Sequence, residues 1–411
     1  MPADQTAPPA RASADPMTVA VVCLGFTQII AWGTTLYCVG VLGKPIAADT
    51  GWSQTLVFGG LTMGLLVSSA VSTSIGRLID RRGARLVMCL GSLLVAAGLI
   101  ALALARQPSH YLAAWALLGL AMRMSLYDAA FAAIVQVTPT RGRRAISYLT
   151  LFGGLASTVF WPIGYAIEAS YGWRVTLLVF AAINLVVCLP LNWFGLARRE
   201  VAAPLAVSTT EGASATAPVL DGRQRQLAMV LFGFVMAASA FCYGALAAHL
   251  VTVLAAVGLS ATIAVTLASA KGIAQTLSRL GDLVFGRNLH PLDLGRITLA
   301  FLPLAFAVLI WGGASLMTAI AFIVLFGIAN GLTTIVRGAV PLALFGTKGY
   351  GEILGILATP YLVLNAVAPM IFAVIDERYG GAAATYTLLA VGLLAWVSME
   401  IMALWYRRRA R

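Results

Sequence analysis

Long apolar segments alternate with short polar gaps along most of this chain. Segment 86–105, for example, is 20 residues long without a charged side chain, and it follows a charged stretch at 76–85. Twenty residues of helix span a bilayer core of about 30 Å. Because backbone amides in hydrocarbon must bond internally, each such segment is predicted to be helical. The pattern predicts twelve spans, at about 18–43, 53–75, 85–105, 111–137, 145–168, 174–195, 227–256, 260–284, 295–313, 316–337, 351–375 and 382–405.

Short turns join all of these spans except the sixth and the seventh. Between those two lies a polar stretch rich in Ala, Ser, Thr and Pro, which is typical of a linker. The sequence therefore predicts an all-α integral membrane protein of twelve transmembrane helices in two pseudo-symmetric six-helix halves. The predicted organisation is a disordered tail at 1–16, a six-helix bundle at 17–195, a cytoplasmic linker at 196–226, a second bundle at 227–406 and a basic tail at 407–411.

The two halves share short sequences at a nearly constant offset. "GWS" at 51–53 matches "GLS" at 258–260, which is 207 residues later, and "AIEASYG" at 166–172 matches "VIDERYG" at 374–380, which is 208 residues later. An internal duplication explains both matches. Six spans per repeat keep the halves in one orientation, so an axis along the membrane normal should relate them, with a binding site between them near the midplane.

Composition and charge agree with a membrane protein. Hydrophobic residues make up 60% of the chain and charged residues 10%, whereas soluble domains carry about 25% charged residues. The net charge of +12 sits in the gaps between spans. Alternate gaps hold about five times as many Lys and Arg as the others, which predicts that both termini are cytoplasmic. A nucleic-acid partner is excluded because no polar basic domain exists.

The stretch "GRLIDRRGAR" at 76–85 crowds an Asp and four Arg between two apolar spans. It resembles the signature loop of the major facilitator superfamily, and the resemblance extends to the six-plus-six arrangement and to a weakened copy at 278–287. The resemblance implies a transporter that works by alternating access, with this loop as a cytoplasmic latch. The residues that fill the pattern are Gly76, Leu78, Asp80, Arg81, Gly83 and Arg85.

In such a latch, Asp80 would accept hydrogen bonds from a helix N-terminus or an Arg of the opposite half. The alternative is that the charges only set topology. Finer resemblances point to different branches. "GWS", "RGRRAISY" at 141–148 and Gly153, Gly154 and Pro162 are similar to the monocarboxylate and oxalate/formate branch. "FWPIG" at 160–164 partly resembles drug/proton antiporters, and arsenite exporters of the superfamily are a further alternative.

Among the ionisable residues of the predicted spans, three stand out by their depth, namely Arg123, Asp128 and Lys271. Such groups cost at least about 2.5 kcal/mol each to insert, so they are candidates for function. Arg123 and Lys271 fall near the midplane and would make a central cavity positive, which favours a small organic anion such as a monocarboxylate. The resemblance to the oxalate/formate branch implies basic residues on spans 8 and 11; Lys271 matches the first, but span 11 has no Lys or Arg, which disfavours oxalate. Polar neighbours predicted to line the cavity are Tyr37, Tyr127, Gln275 and Asn365.

Arg123 and Asp128 are five residues apart, or about 140° around a regular helix. They should therefore not face each other, and each is expected to need a partner from another helix. Three roles for Asp128 remain open. Asp128 could carry protons, it could be a latch residue paired with Arg81, as the resemblance implies, or it could serve packing alone.

The remaining chemistry of the chain is sparse. It has no G-x-x-x-x-G-K-[ST] phosphate loop, so an ion gradient, with H+ as the coupling ion, is the expected driver. The three His residues lack ligand spacing, and the five Cys residues lie singly in apolar segments, so no cofactor, metal or enzymatic activity is predicted. Arg greatly outnumbers Lys, which suggests a bacterial inner-membrane protein; the expected state is a monomer. A non-transporting receptor or scaffold is the alternative of another class.

Overall fold

A computed structural model describes residues 15–200, 220, 222–256, 258–286 and 288–410. The predicted tail at 1–16 and linker at 196–226 lie largely outside these residues. All regular elements of the described part are helical, with a π-helical turn at Asn184–Cys188. The α-helices are α1 (Pro16–Thr34), α2 (Cys38–Thr50), α3 (Gln54–Arg82), α4 (Ala84–Ala103), α5 (Pro108–Ser125), α6 (Tyr127–Val137), α7 (Gly142–Gly154), α8 (Ala156–Ile183), α9 (Leu189–Gly195), α10 (Gly222–Ala256), α11 (Ala261–Phe285), α12 (Pro291–Trp311), α13 (Leu316–Phe345) and α14 (Tyr350–Ala410).

Nine helical stretches of the described part are long and apolar enough to cross a membrane. Two of them, Gly142–Gly195 with 54 residues and Tyr350–Arg408 with 59, are about twice the length that a bilayer requires. Each turns back at a glycine with a left-handed φ, Gly172 at 78° and Gly380 at 82°. With these two counted twice and α11 added, the chain makes the twelve crossings that the apolar pattern predicts.

The backbone repeats the sequence duplication. Gly51 and Gly258 both have positive φ angles, of 71° and 87°. Ser53 and Ser260, two residues later in each half, both cap a helix by accepting a hydrogen bond from the N–H three residues on. A serine cap satisfies an N–H that the helix itself leaves unpaired. The same turn therefore starts the second crossing of each half.

The two halves meet along few helices. α3 of the first half packs along α14 of the second, α7 contacts α11 and α13, and α6 contacts α14. Small residues allow this close approach. A Cβ placed on Gly355 would lie 2.6 Å from the carbonyl oxygen of Ser72, so the backbones of α14 and α3 nearly touch.

The first and the last described residues of the chain lie at the same end of the helix bundle. We call this end the terminal face. Here Arg141, in the turn between α6 and α7, pairs with Asp15 at 2.7 Å and with Glu200 at 3.0 Å. The hydrogen bond from Arg141 lowers the pKa of Asp15 to about 2. Leu220 donates its N–H to the carbonyl of Leu344 at 3.2 Å. Both sides of the predicted linker are thus attached at this face, and α10 begins at Gly222, four residues before the predicted end of the linker.

Candidate functional site

The fourth crossing is broken in its middle. α5 ends at Ser125, and Leu126 has an extended backbone with φ −85° and ψ −170° before α6 begins at Tyr127. The break frees the carbonyl of Ser125, which accepts a hydrogen bond from the Gln28 side chain at 2.8 Å. A freed backbone group inside a membrane needs such a partner. The side chain of Gln28 is thereby fixed against the break.

This break brings Arg123 and Asp128 together. Nη1 of Arg123 donates to Oδ2 of Asp128, and both side chains are buried. The expectation that they could not face each other is wrong, because it assumed a regular helix through Leu126. Pairing within one crossing offsets much of the cost of burying either charge.

Arg337 of α13, in the second half, donates to the same oxygen of Asp128. We call Arg123, Asp128 and Arg337 the arginine–aspartate triad. The resemblance implied that Asp128 pairs with Arg81, and this is wrong. Arg81 is an exposed residue at the end of α3, and the partner of Asp128 from another helix is Arg337. The sequence analysis missed Arg337 because the predicted tenth span stopped there, whereas α13 continues to Phe345.

The triad carries a formal charge of +1, since two guanidinium groups surround one carboxylate. Oδ1 of Asp128 and Nε of Arg123 are buried without a hydrogen-bond partner among the described residues. The guanidinium of Arg337 lies 4.5 Å from the centre of the Tyr361 ring. An aromatic face attracts a cation, so Tyr361 is a second support for Arg337.

Lys271 lies in the middle of α11, away from the triad. Its Nζ is 5.8 Å from the centre of the Phe326 ring on α13. Tyr243 packs against the same ring, at 5.5 Å between centroids, and its hydroxyl bonds to Thr333 at 2.8 Å. The ion pairs found among the described residues do not include Lys271. Nor does any described hydrogen bond link Lys271 to Arg123.

Aromatic rings of the first half continue from the triad. The Trp32 ring lies 5.1 Å from that of Tyr127 and 6.1 Å from that of Tyr37, and Tyr37 meets Trp161 edge-on at 6.3 Å. Tyr127 donates its hydroxyl to the carbonyl of Thr150 at 3.2 Å. Beside Trp161, a cavity of about 550 Å³ lies between α2 and α8. Two of the predicted cavity residues, Tyr37 and Tyr127, thus belong to one aromatic row.

The other two predicted cavity residues sit in the second half, apart from this row. Asn365 of α14 donates to the carbonyl of Ala240 at 3.4 Å. Gln275 of α11 is partly buried, and its backbone carbonyl accepts the hydroxyl of Ser278. Neither side chain contacts Arg123 or Lys271 through a described hydrogen bond.

Residues of the signature stretch join the halves at the terminal face. Asp80 accepts the N–H groups of Gly351 at 3.0 Å and Glu352 at 2.8 Å. Arg77 pairs with Glu352 at 2.8 Å, and Gly76 packs directly on the backbone of Gly351. These contacts place the stretch against the first turn of α14.

Two further residues of the stretch, Arg85 and Gly83, stay on the first half. Arg85 stacks over the Trp193 ring at 4.0 Å, and Gly83 turns the chain between α3 and α4 with a φ of 86°. They shape the turn that carries Asp80.

The weakened copy of the signature stretch also joins the halves. Arg279 of α11 donates to the carbonyl of Thr150 on α7 at 2.9 Å. Asp282 accepts the hydroxyl of Ser147 at 2.8 Å and lies 3.8 Å from Arg143. Together with Asp128–Arg337 and Asp80–Gly351, these contacts lie between the middle of the bundle and the terminal face. The halves are therefore held together on that side.

The cysteines offer no soft-metal site in the described part of the chain. Four of the five are buried, and Cys38, Cys89 and Cys242 direct their thiols to backbone carbonyls. No group of three His, Cys, Asp or Glu side chains is arranged to hold a metal ion among the described residues. A metalloid site needs converging thiols, so this geometry does not favour arsenite.

Comparisons with known proteins agree with the geometry. A family model described as Major Facilitator Superfamily matches residues 21–309. The human organic anion transporter MFSD10 (TETRAN) has a similar structure, with a TM-score of 0.71 and 18% sequence identity over 96% of this chain and 100% of that one. A search of the curated proteins found no match.

Proposed function

Because the chain belongs to the Major Facilitator Superfamily, we propose that it is a secondary transporter that carries a small organic anion across the membrane by alternating access. Two six-helix halves, 17–195 and 227–406, would rock about a central site. The energy would come from an ion gradient, with H+ as the coupling ion.

The observation that carries the anion assignment is an excess of cations at membrane depth. Arg123 and Arg337 share one carboxylate, that of Asp128, and Lys271 faces an aromatic ring rather than an acid. Uncompensated charge inside a membrane is expensive and is retained where it binds something. A monocarboxylate would neutralise the positive centre. The description of MFSD10 as an organic anion transporter fits this assignment.

Lys271 is our choice for the substrate's main cationic contact. It lies near the middle of α11, and the neighbouring Phe326 and Tyr243 provide an apolar wall for the carbon skeleton of the substrate. Tyr37, Tyr127, Gln275 and Asn365 remain candidates to line the same site. Arg123 is a weaker candidate than the sequence analysis made it, because Asp128 already pairs with it.

We assign Asp128 to the latch rather than to proton transfer, since it joins the two halves through Arg337. Asp80, Gly76 and Arg77 would close the terminal face in the same state. We propose that this face and both termini lie on the cytoplasmic side of a bacterial inner membrane, and the excess of Arg in the gaps at this face supports that orientation.

Counterflow in proteoliposomes tests this function. Vesicles loaded with unlabelled lactate or benzoate should take up the labelled acid, and the uncharged benzamide should not exchange. Lys271→Gln should reduce the rate at least tenfold. Lys44→Gln is the matched control, because Lys44 is exposed near the other end of the bundle and should keep the wild-type rate.

Exchange of benzamide or of organic cations without exchange of any acid would overturn the anion assignment. Equal rates for Lys271→Gln and Lys44→Gln would remove Lys271 from the site and leave the carrier function standing.

A further inference from the structure

Arg337 is the one member of the triad that belongs to the second half. Arg123 and Asp128 lie on α5 and α6, three and two residues from Leu126, and both belong to the fourth crossing of the first half. Arg337 lies on α13, packed over Tyr361 of α14. Any motion that separates the halves at the terminal face must therefore break the Arg337–Asp128 pair and leave the Arg123–Asp128 pair intact.

Separation leaves unequal charges on the two sides. The first half keeps a neutral pair, and the second half keeps an unpaired guanidinium. Asp128 is the only described carboxylate within ion-pair distance of Arg337. Tyr361 remains beside Arg337 and would hold its planar group towards the opening.

The depth of Arg337 suits a site of access. It lies eight residues before the end of α13, or about 12 Å from that end, whereas Lys271 lies 14 residues, or about 21 Å, from the end of α11. An anion that enters from the terminal face would thus reach Arg337 before Lys271. A guanidinium can bind a carboxylate through two parallel hydrogen bonds. In the closed state Arg337 donates to one carboxylate oxygen of Asp128, Oδ2.

We infer that Arg337 is an anion-access site on the terminal side, distinct from the central site at Lys271, and that Asp128 is its built-in competitor. With the face open, Arg337 binds the carboxylate of a small organic anion. With the face closed, Asp128 takes the place of that carboxylate and the anion leaves for the centre or for solution. This inference rests on the proposed anion transport.

Chemical modification of Arg337 tests the inference directly. Phenylglyoxal reacts with water-accessible arginine, and peptide mass spectrometry measures the rate at position 337 in the purified protein in nanodiscs. Asp128→Asn keeps the shape of the competitor but not its charge, and should speed modification at least tenfold. Benzoate should then slow modification at least fivefold, and benzamide at the same concentration should not.

A second variant keeps the test decisive if Asp128→Asn misfolds. Gly76→Ala changes none of the three triad residues but places a Cβ against the backbone of Gly351, so it should hinder closure. It should also expose Arg337 to phenylglyoxal, with the same protection by benzoate. Modification at the wild-type rate in both variants, or equal protection by benzoate and benzamide, would overturn the inference.

Transport separates this inference from the proposed function. Arg337→Gln should raise the KM for benzoate at least tenfold, and Arg337→Lys should recover part of the loss because it restores the charge. If wild-type vesicles exchange benzoate and Arg337→Gln has the same KM, the access site is wrong and the anion carrier stands. If wild-type vesicles exchange no acid, the proposed function itself fails.

Discussion

The carboxylate of Asp80 accepts the backbone N–H of Gly351 at 3.0 Å, although the two residues are 271 positions apart in the chain. α14 begins at Tyr350, so an acid of the first half caps the N-terminus of a helix of the second half. The first N–H groups of a helix have no partner within it and carry a partial positive charge. Closure of the terminal face therefore satisfies donors that opening leaves to water.

Removing this cap should loosen the terminal face. Asp80→Ala deletes two hydrogen bonds to a charged acceptor, each contributing about 1.5–3 kcal/mol. Backbone amides of 350–354 should then exchange with deuterium at least tenfold faster, as measured by mass spectrometry. Arg77→Gln is the control, since its exposed pair with Glu352 contributes at most about 1 kcal/mol. Similar exchange in Asp80→Ala and wild type would show that Asp80 does not hold the face closed.

The glycine contact beside Asp80 should be intolerant of a single methyl group. In Gly76→Ala the new Cβ would meet the backbone of Gly351, which cannot move aside without shifting α14. A thiol introduced by Ser72→Cys, on the same buried face, should then react with a water-soluble maleimide at least fivefold faster. Gly59→Ala on the same helix meets no atom within 4 Å and should leave the rate unchanged. Equal rates in the two variants would contradict the close approach.

Removing the carboxylate of the triad should destabilise the protein more than removing one of its guanidinium groups. Asp128→Ala leaves two buried guanidinium groups without a counterion and should destabilise the protein by about 3–5 kcal/mol. Arg123→Leu leaves the Asp128–Arg337 pair, so its cost should be less than half as large. Thermal unfolding in detergent compares the two variants. A larger loss in Arg123→Leu would mean that Arg123, not Asp128, is the centre of the cluster.

His290 should make stability depend on pH near neutrality. Its Nδ1 accepts the N–H of Leu292 at the start of α12, which requires the neutral ring. Burial lowers the pKa of His290 below its usual 6.5, in spite of the nearby Asp293. A lowered pKa in the folded state means that the unfolded chain binds more protons, so this contribution is complete above pH 6.5 and is lost as the pH falls below it.

The expected effect of His290 is modest but measurable. A helix cap contributes about 1 kcal/mol, so the melting temperature should fall by about 1–3 °C between pH 7.5 and 5 from this group alone. His290→Ser supplies a cap that does not titrate, and the difference between the two proteins isolates the contribution. An identical pH dependence in both would assign the effect to other groups.

Local signals in the sequence predicted the fold because the bilayer imposes them. The apolar runs predicted twelve crossings, and the matches around Gly51 and Gly258 predicted a duplication that the backbone repeats. The break at Leu126 was missed because "RMSLYD" contains neither Gly nor Pro, the residues that usually mark an interruption. The pairing of Arg123 with Asp128 depends entirely on that break.

The contacts between halves could be predicted only in part. The resemblance of the signature stretch predicted that Asp80 would meet the opposite half. The partners of Asp128 and Asp282, however, lie 209 and 135 positions away in the chain, and no local pattern indicates such distances. Arg337 marks the predicted end of the tenth span, because a charge near the end of an apolar run looks like the end of a span.

The attachment of the linker at both sides bears on how far the halves can move. Glu200 forms an ion pair with Arg141 of the first half, and the backbone of Leu220 forms a hydrogen bond with that of Leu344 of the second half. The covalent connection between these anchors has 20 peptide steps and a contour length of up to about 70 Å, which exceeds the thickness of the hydrocarbon core. A connection of that length does not by itself prevent the halves from rocking.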